Sequence, residues 1–118
     1  MPEDLIRFMQ KLFPPAAERA WEPATDIYRT PCGWLVKLDL AGVRPEDVQF
    51  LAHGDRLQVR GVRRDWCLEE GCTHYRMEIA YSKFERNIVL PVDIEHARVA
   101  TEFRHGLLLI RIEMEACQ

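Results

Sequence analysis

From Asp26 onward, apolar side chains return at every second position for most of the chain, and this period of two constrains the fold more than any other feature. Trp34, Val36, Leu38 and Leu40 alternate with Leu35, Lys37 and Asp39. Val48, Phe50 and Ala52 alternate with Gln49 and Leu51, and Leu57 and Val59 with Gln58 and Arg60. Neighbouring side chains of an extended strand point to opposite faces, so runs of this kind bury one face and wet the other. Further strands are predicted at Tyr75–Tyr81, Glu85–Leu90, Val99–Phe103 and Leu107–Ile112. Turn residues separate the runs at Pro31-Cys32-Gly33, Ala41-Gly42, Arg44-Pro45-Glu46-Asp47, His53-Gly54-Asp55 and Arg104-His105-Gly106. Seven or eight short strands with no helix between them predict an all-β, immunoglobulin-like antiparallel β-sandwich. Asp65 to Thr73 interrupts the series as a loop carrying Trp66 and Leu68 among its charges.

Only the N-terminus has another period. Leu5, Ile6, Met9, Leu12 and Phe13 share one helical face, which Phe8 widens, and Pro14-Pro15 ends it. Eleven residues are too few for a helix to persist alone in water, so this segment is expected to dock on something. The chain divides into an N-terminal amphipathic segment (1–20), a sandwich (21–113) and a short C-terminal tail (114–118). At 118 residues it is expected to form one domain.

Composition narrows the function. Sixteen Lys+Arg against nineteen Asp+Glu give a net charge of -3, which disfavours a nucleic-acid partner held by phosphate neutralisation. Met1-Pro2-Glu3-Asp4 is acidic where a secretory signal is basic, and no run reaches the ~20 apolar residues of a membrane span. A soluble, cytoplasmic protein is expected, with its four cysteines (Cys32, Cys67, Cys72, Cys117) as free thiols. A single serine, Ser82, leaves no Gly-x-Ser-x-Gly elbow, and the six glycines match neither Gly-x-Gly-x-x-Gly nor a Walker A loop. No enzyme activity and no cofactor are expected. Cys67-x4-Cys72-x-His74 is a weak metal candidate that lacks a fourth ligand, or a reversible disulfide; His53, His96 and His105 read as solvated turn residues.

Four ordered stretches carry a resemblance to the α-crystallin domain of small heat-shock proteins. Asp39-Leu40-Ala41-Gly42-Val43-Arg44-Pro45-Glu46-Asp47-Val48 resembles that domain's strand end, Pro-Gly turn and following strand. Leu57-Gln58-Val59-Arg60-Gly61-Val62-Arg63 is similar to its Leu-x-Ile-x-Gly-Glu-Arg strand. Glu78 to Arg86, followed by Leu90-Pro91, resembles Glu-x-x-x-Gly-x-Phe-x-Arg with Leu-Pro, and Thr101 to Leu108 matches Ala-x-x-x-Asn-Gly-Val-Leu in frame. The departures are Ala41 for Pro, Val62 for Glu, Ser82 for Gly, Thr101 for Ala and His105 for Asn. Ser82 is expected to need backbone angles that glycine takes more easily.

The resemblance implies an ATP-independent holdase of the stress response, which binds partly unfolded clients through apolar surfaces. It points to two such surfaces: the N-terminal stripe of Leu5, Ile6, Phe8, Met9, Leu12 and Phe13, and a groove between Val48, Phe50 and Ala52 on one strand and Val99 and Thr101 on another. It also implies a homodimer in which the Asp65 to Thr73 loop exchanges a strand, with Trp66, Leu68 and Tyr75 anchoring near the partner's Ile27 and Tyr28. Ile110-Arg111-Ile112 has the letters of the family's tail motif but falls in the final strand, so a dimer or small oligomer is expected. The open groove would then take a client or another small heat-shock protein's tail. The rival readings are an adaptor or co-chaperone sandwich that binds a folded partner, and a thiol or metal sensor built on Cys67, Cys72 and His74.

Overall fold

The computed structural model of the protein describes residues 20–115. Seven strands follow in chain order: β1 (Thr25–Thr30), β2 (Gly33–Asp39), β3 (Val48–His53), β4 (Arg56–Val62), β5 (Lys83–Val89), β6 (Arg98–Arg104) and β7 (Leu107–Glu113). One 3-10 turn, Pro45–Asp47, leads into β3. The strands form two antiparallel sheets, ordered β1-β2-β7-β6 and β3-β4-β5.

Alternation places the core. Val36 lies opposite Ile110, Leu38 opposite Leu108, and Trp34 opposite Ile112, so the inward residues of β2 meet those of β7. In the second sheet Leu57 faces Ile88 and Gly61 faces Phe84. Val36, Leu38, Leu57, Val59 and Ile110 are wholly buried, and Leu40, Leu90 and Ile94 extend the same cluster beyond the strand ends. Each such side chain contributes about 1.5–3 kcal/mol on burial, so the two inner faces hold the sheets together.

The chain itself shows which edges stack. Trp21 bridges to Phe84 in β5, its ring 5.2 Å from the phenyl, and four residues later the chain enters β1. The β5 edge therefore lies on the β1 side of the sandwich, which leaves β3 and β6 as the edges on the other side. At the β6–β7 hairpin His105 has φ 54° and Gly106 φ 79°, the two positive values of a type I′ turn.

Several expectations need correction. Tyr75–Tyr81 forms no strand, and the whole stretch from 63 to 82 between β4 and β5 is irregular. A strand needs a hydrogen-bonded neighbour, and this segment pairs with none of the seven described strands. Ser82 is buried and has ordinary backbone angles, whereas His105 takes the left-handed conformation. Three of the four cysteines are not free thiols: Cys67 is bonded to Cys72, and Cys32 is also disulfide-bonded, while Cys117 lies outside the described residues. The predicted helix at 3–13 lies outside the described residues, and no helix among these is long and apolar enough to cross a membrane.

Candidate functional site

Two places combine open strand edges with exposed apolar side chains. On the β3/β6 side, Val48, Phe50 and Ala52 share the inward face of β3, paired with Gly61, Val59 and Leu57 of β4. Val99, Thr101 and Phe103 share the inward face of β6, paired with Ile112, Ile110 and Leu108. Val48, Ala52, Val99 and Phe103 pack against the core. Phe50 and Thr101, at the middle of their strands, remain exposed, Phe50 at 42%. Both strands end their sheets, so an inward side chain at mid-strand has a neighbour on one flank only. The five sequence-predicted groove residues thus lie on two strands, β3 and β6, that each end a sheet.

On the β1/β5 side, Ile27 and Tyr28 of edge strand β1 are 46% and 45% exposed. Lys37 stands over the Tyr28 ring at 4.7 Å, and Arg29 over Trp34 at 5.2 Å. The 20-residue stretch from 63 to 82 supplies the larger apolar exposure: Leu68 at 93%, Tyr75 at 99%, and Met77 and Ile79 about half exposed. Tyr75, Met77 and Ile79 occupy alternate positions with Arg76 and Glu78 between them. Extended, they would form one apolar face. Met77 and Ile79 are not singled out by the sequence reading, although their alternation with Tyr75 is visible there.

Trp66 is placed differently from its expected companions. Its indole N–H donates to the Gly42 carbonyl at 3.0 Å, and the Arg44 guanidinium lies 3.7 Å from its ring centroid. Arg64 bonds Asp47 at 3.1 Å, and Arg44 approaches the same carboxylate at 3.9 Å. Trp66 thus rests on the turns before β3, while Leu68 and Tyr75 are almost fully exposed. The structure does not bring Trp66, Leu68 and Tyr75 together, nor any of them to Ile27 and Tyr28 of the same chain; Gly42 and Arg44 stand in the predicted turns, where nothing marks them as partners of Trp66.

Beyond Trp66, Gly71 has φ 84°, which reverses the chain and lets Cys67 meet Cys72. With both sulfurs joined, neither offers a thiolate to a metal, and His74 lies 3.7 Å from Asp65 instead. Among the described residues no cluster of three His, Cys, Asp or Glu is arranged to hold a metal ion. The N-terminal stripe from Leu5 to Phe13 lies outside the described residues.

Relatives agree with this architecture. Residues 26–118 match the model of the Hsp20/alpha crystallin family. Small heat shock protein C2 of Rickettsia felis is 27% identical over 97 residues, covering 82% of this chain and 63% of that protein. Spore protein SP21 of Stigmatella aurantiaca is 29% identical over 93 residues, covering 79% of this chain and 55% of that one. The chain thus spans a little over half the length of these curated relatives. Among solved structures, a small heat-shock protein from Xylella fastidiosa, with a distinct high order structure, superposes with a TM-score of 0.65. It is 26% identical, over 80% of this chain and 87% of that one. A two-sheet sandwich with the family match running through it defines a small heat-shock protein fold. This chain belongs to the Hsp20/alpha crystallin family.

Proposed function

We propose that this protein is an ATP-independent holdase that captures partly unfolded proteins on apolar surface and keeps them from aggregating. The observation that carries the reading is Phe50: a large aromatic on the core-facing side of an edge strand, 42% exposed, with Thr101 exposed on edge strand β6 as well. A client segment laid along such an edge removes apolar area from water on both partners, at roughly 25 cal/mol per Å². Edge strands also offer free backbone donors and acceptors, so an extended client gains hydrogen bonds as well as burial. The N-terminal stripe of Leu5, Ile6, Phe8, Met9, Leu12 and Phe13 is the second capture surface in this reading.

The working unit is a homodimer formed by strand exchange. Tyr75–Tyr81 has the alternation of a strand but is unpaired in its own subunit, and β1 has a free edge with Ile27 and Tyr28 half exposed. Adding this segment to a partner's β1 satisfies both. Trp66, docked on Gly42 and Arg44, marks where the excursion leaves its own subunit, and Leu68 and Tyr75 lie on the part that crosses. The related Xylella fastidiosa protein has a high order structure, which supports self-association as the basis of the assembly. The open β3 and β6 edges would also accept the tail of another small heat-shock protein.

The test is to heat a thermolabile client without ATP and follow turbidity. Equimolar full chain suppresses aggregation, Phe50→Glu loses at least half of that suppression, and removal of residues 1–20 lowers it further. Turbidity unchanged by the full chain overturns the holdase reading.

A further inference from the structure

The Cys67–Cys72 bond sits between Trp66, where the excursion is pinned to its own subunit, and Tyr75, where the exchangeable face begins. Both cysteines are exposed, on either side of the turn at Gly71. Nine chain steps separate Trp66 from Tyr75, a reach of about 31 Å when extended. The bond replaces five of those steps by a Cα–Cα distance of 7.7 Å, which cuts the reach to about 21 Å. A tether too short for its span lowers the effective concentration of what it carries toward zero.

We propose that Cys67 and Cys72 form a reversible thiol–disulfide site that sets how far the exchanged strand extends, with the reduced form making the tighter dimer. The proposal rests on the strand-exchange reading above. Reduction breaks the S–S bond: a low-molecular-weight dithiol delivers two electrons and two protons, two cysteine thiols form, and the dithiol leaves as its own cyclic disulfide. A low-molecular-weight disulfide such as oxidised glutathione carries out the reverse through a mixed disulfide. Exposure of both sulfurs gives the attacking thiolate access.

The test compares dimer dissociation constants by sedimentation with and without dithiothreitol, with thiol alkylation and mass spectrometry to verify the state of each cysteine. Three full-length chains are used: wild type, Cys67→Ser/Cys72→Ser, and Met77→Asp/Ile79→Asp. Reduction is expected to lower the wild-type constant at least tenfold. The double serine chain should show the reduced wild-type value under both conditions, which separates this pair from Cys32, disulfide-bonded elsewhere. An equal constant with and without reductant, a tighter oxidised dimer, or a redox response that persists in the double serine chain overturns the proposal. If Met77→Asp/Ile79→Asp dimerises as the reduced wild type does, the strand-exchange reading fails, and the proposal with it. If that variant is monomeric while the wild type ignores redox state, the redox proposal alone fails.

Discussion

Strand β2 and the segment Tyr75–Tyr81 have the same length and the same alternation, and they meet opposite fates. In β2, Val36 and Leu38 vanish into the core between β1 and β7, whereas Tyr75, Met77 and Ile79 remain 99%, 44% and 56% exposed. Each has a side-chain pattern that suits a half-buried strand. The difference is the neighbourhood. Two strands flank β2, and the other segment pairs with no strand of the described residues. Alternation states that a segment can be a strand; hydrogen-bond partners decide whether it is one.

The comparison breaks most visibly at the core. Ile110→Ala removes a wholly buried side chain opposite Val36 and should cost about 3–4 kcal/mol in urea unfolding, while Ile79→Ala should cost the isolated subunit under about 0.5 kcal/mol. Similar costs at the two sites would mean that 75–81 is packed within its own subunit. Next in size, Ile79→Asp should weaken the proposed dimer by about 2 kcal/mol, roughly 30-fold in dissociation constant by sedimentation, by placing a carboxylate in the face proposed to be exchanged. A smaller effect belongs to Trp66→Ala, which deletes the indole hydrogen bond and the Arg44 stack. These are worth about 1–2 kcal/mol together, so amide exchange at residues 63–66 should rise about tenfold. Unchanged exchange there would show that Trp66 does not pin the root of the excursion. The smallest is His105→Asn, which relieves a non-glycine residue at φ 54° in the hairpin turn and should raise stability by about 0.5 kcal/mol.

Much of the sandwich was legible. Predicted strands at Trp34–Leu40, Val48–Ala52, Leu57–Val59 and Leu107–Ile112 overlie β2, β3, β4 and β7 within a residue or three, because both patterning and turn chemistry are local. Val48, Phe50 and Ala52 lie on β3, and Val99 and Thr101 on β6, strands that end their sheets. Trp66 shows the limit of such reading. Its partners Gly42 and Arg44 lie more than twenty positions away in a turn, and neither has a periodic signature. Ser82 and His105 show another: both replace an expected turn-forming residue, yet only His105 lands at positive φ. The cysteines illustrate a third, since spacing alone does not fold the turn at Gly71 that joins Cys67 to Cys72.

By itself, the order of residues determined an all-β chain, the identity of its core face and the places where it turns. These follow from a period of two and from glycine, proline and asparagine-like positions, which act over a few residues. Only the tertiary structure decided which strands would be edges, and therefore which inward-facing residues stay open. Phe50 and Val59 face each other in the same sheet and the same direction, yet Val59 is wholly buried and Phe50 is 42% exposed, because β4 lies between two strands and β3 ends the sheet. Burial depends on neighbours that are distant in the chain, and no local pattern encodes their number.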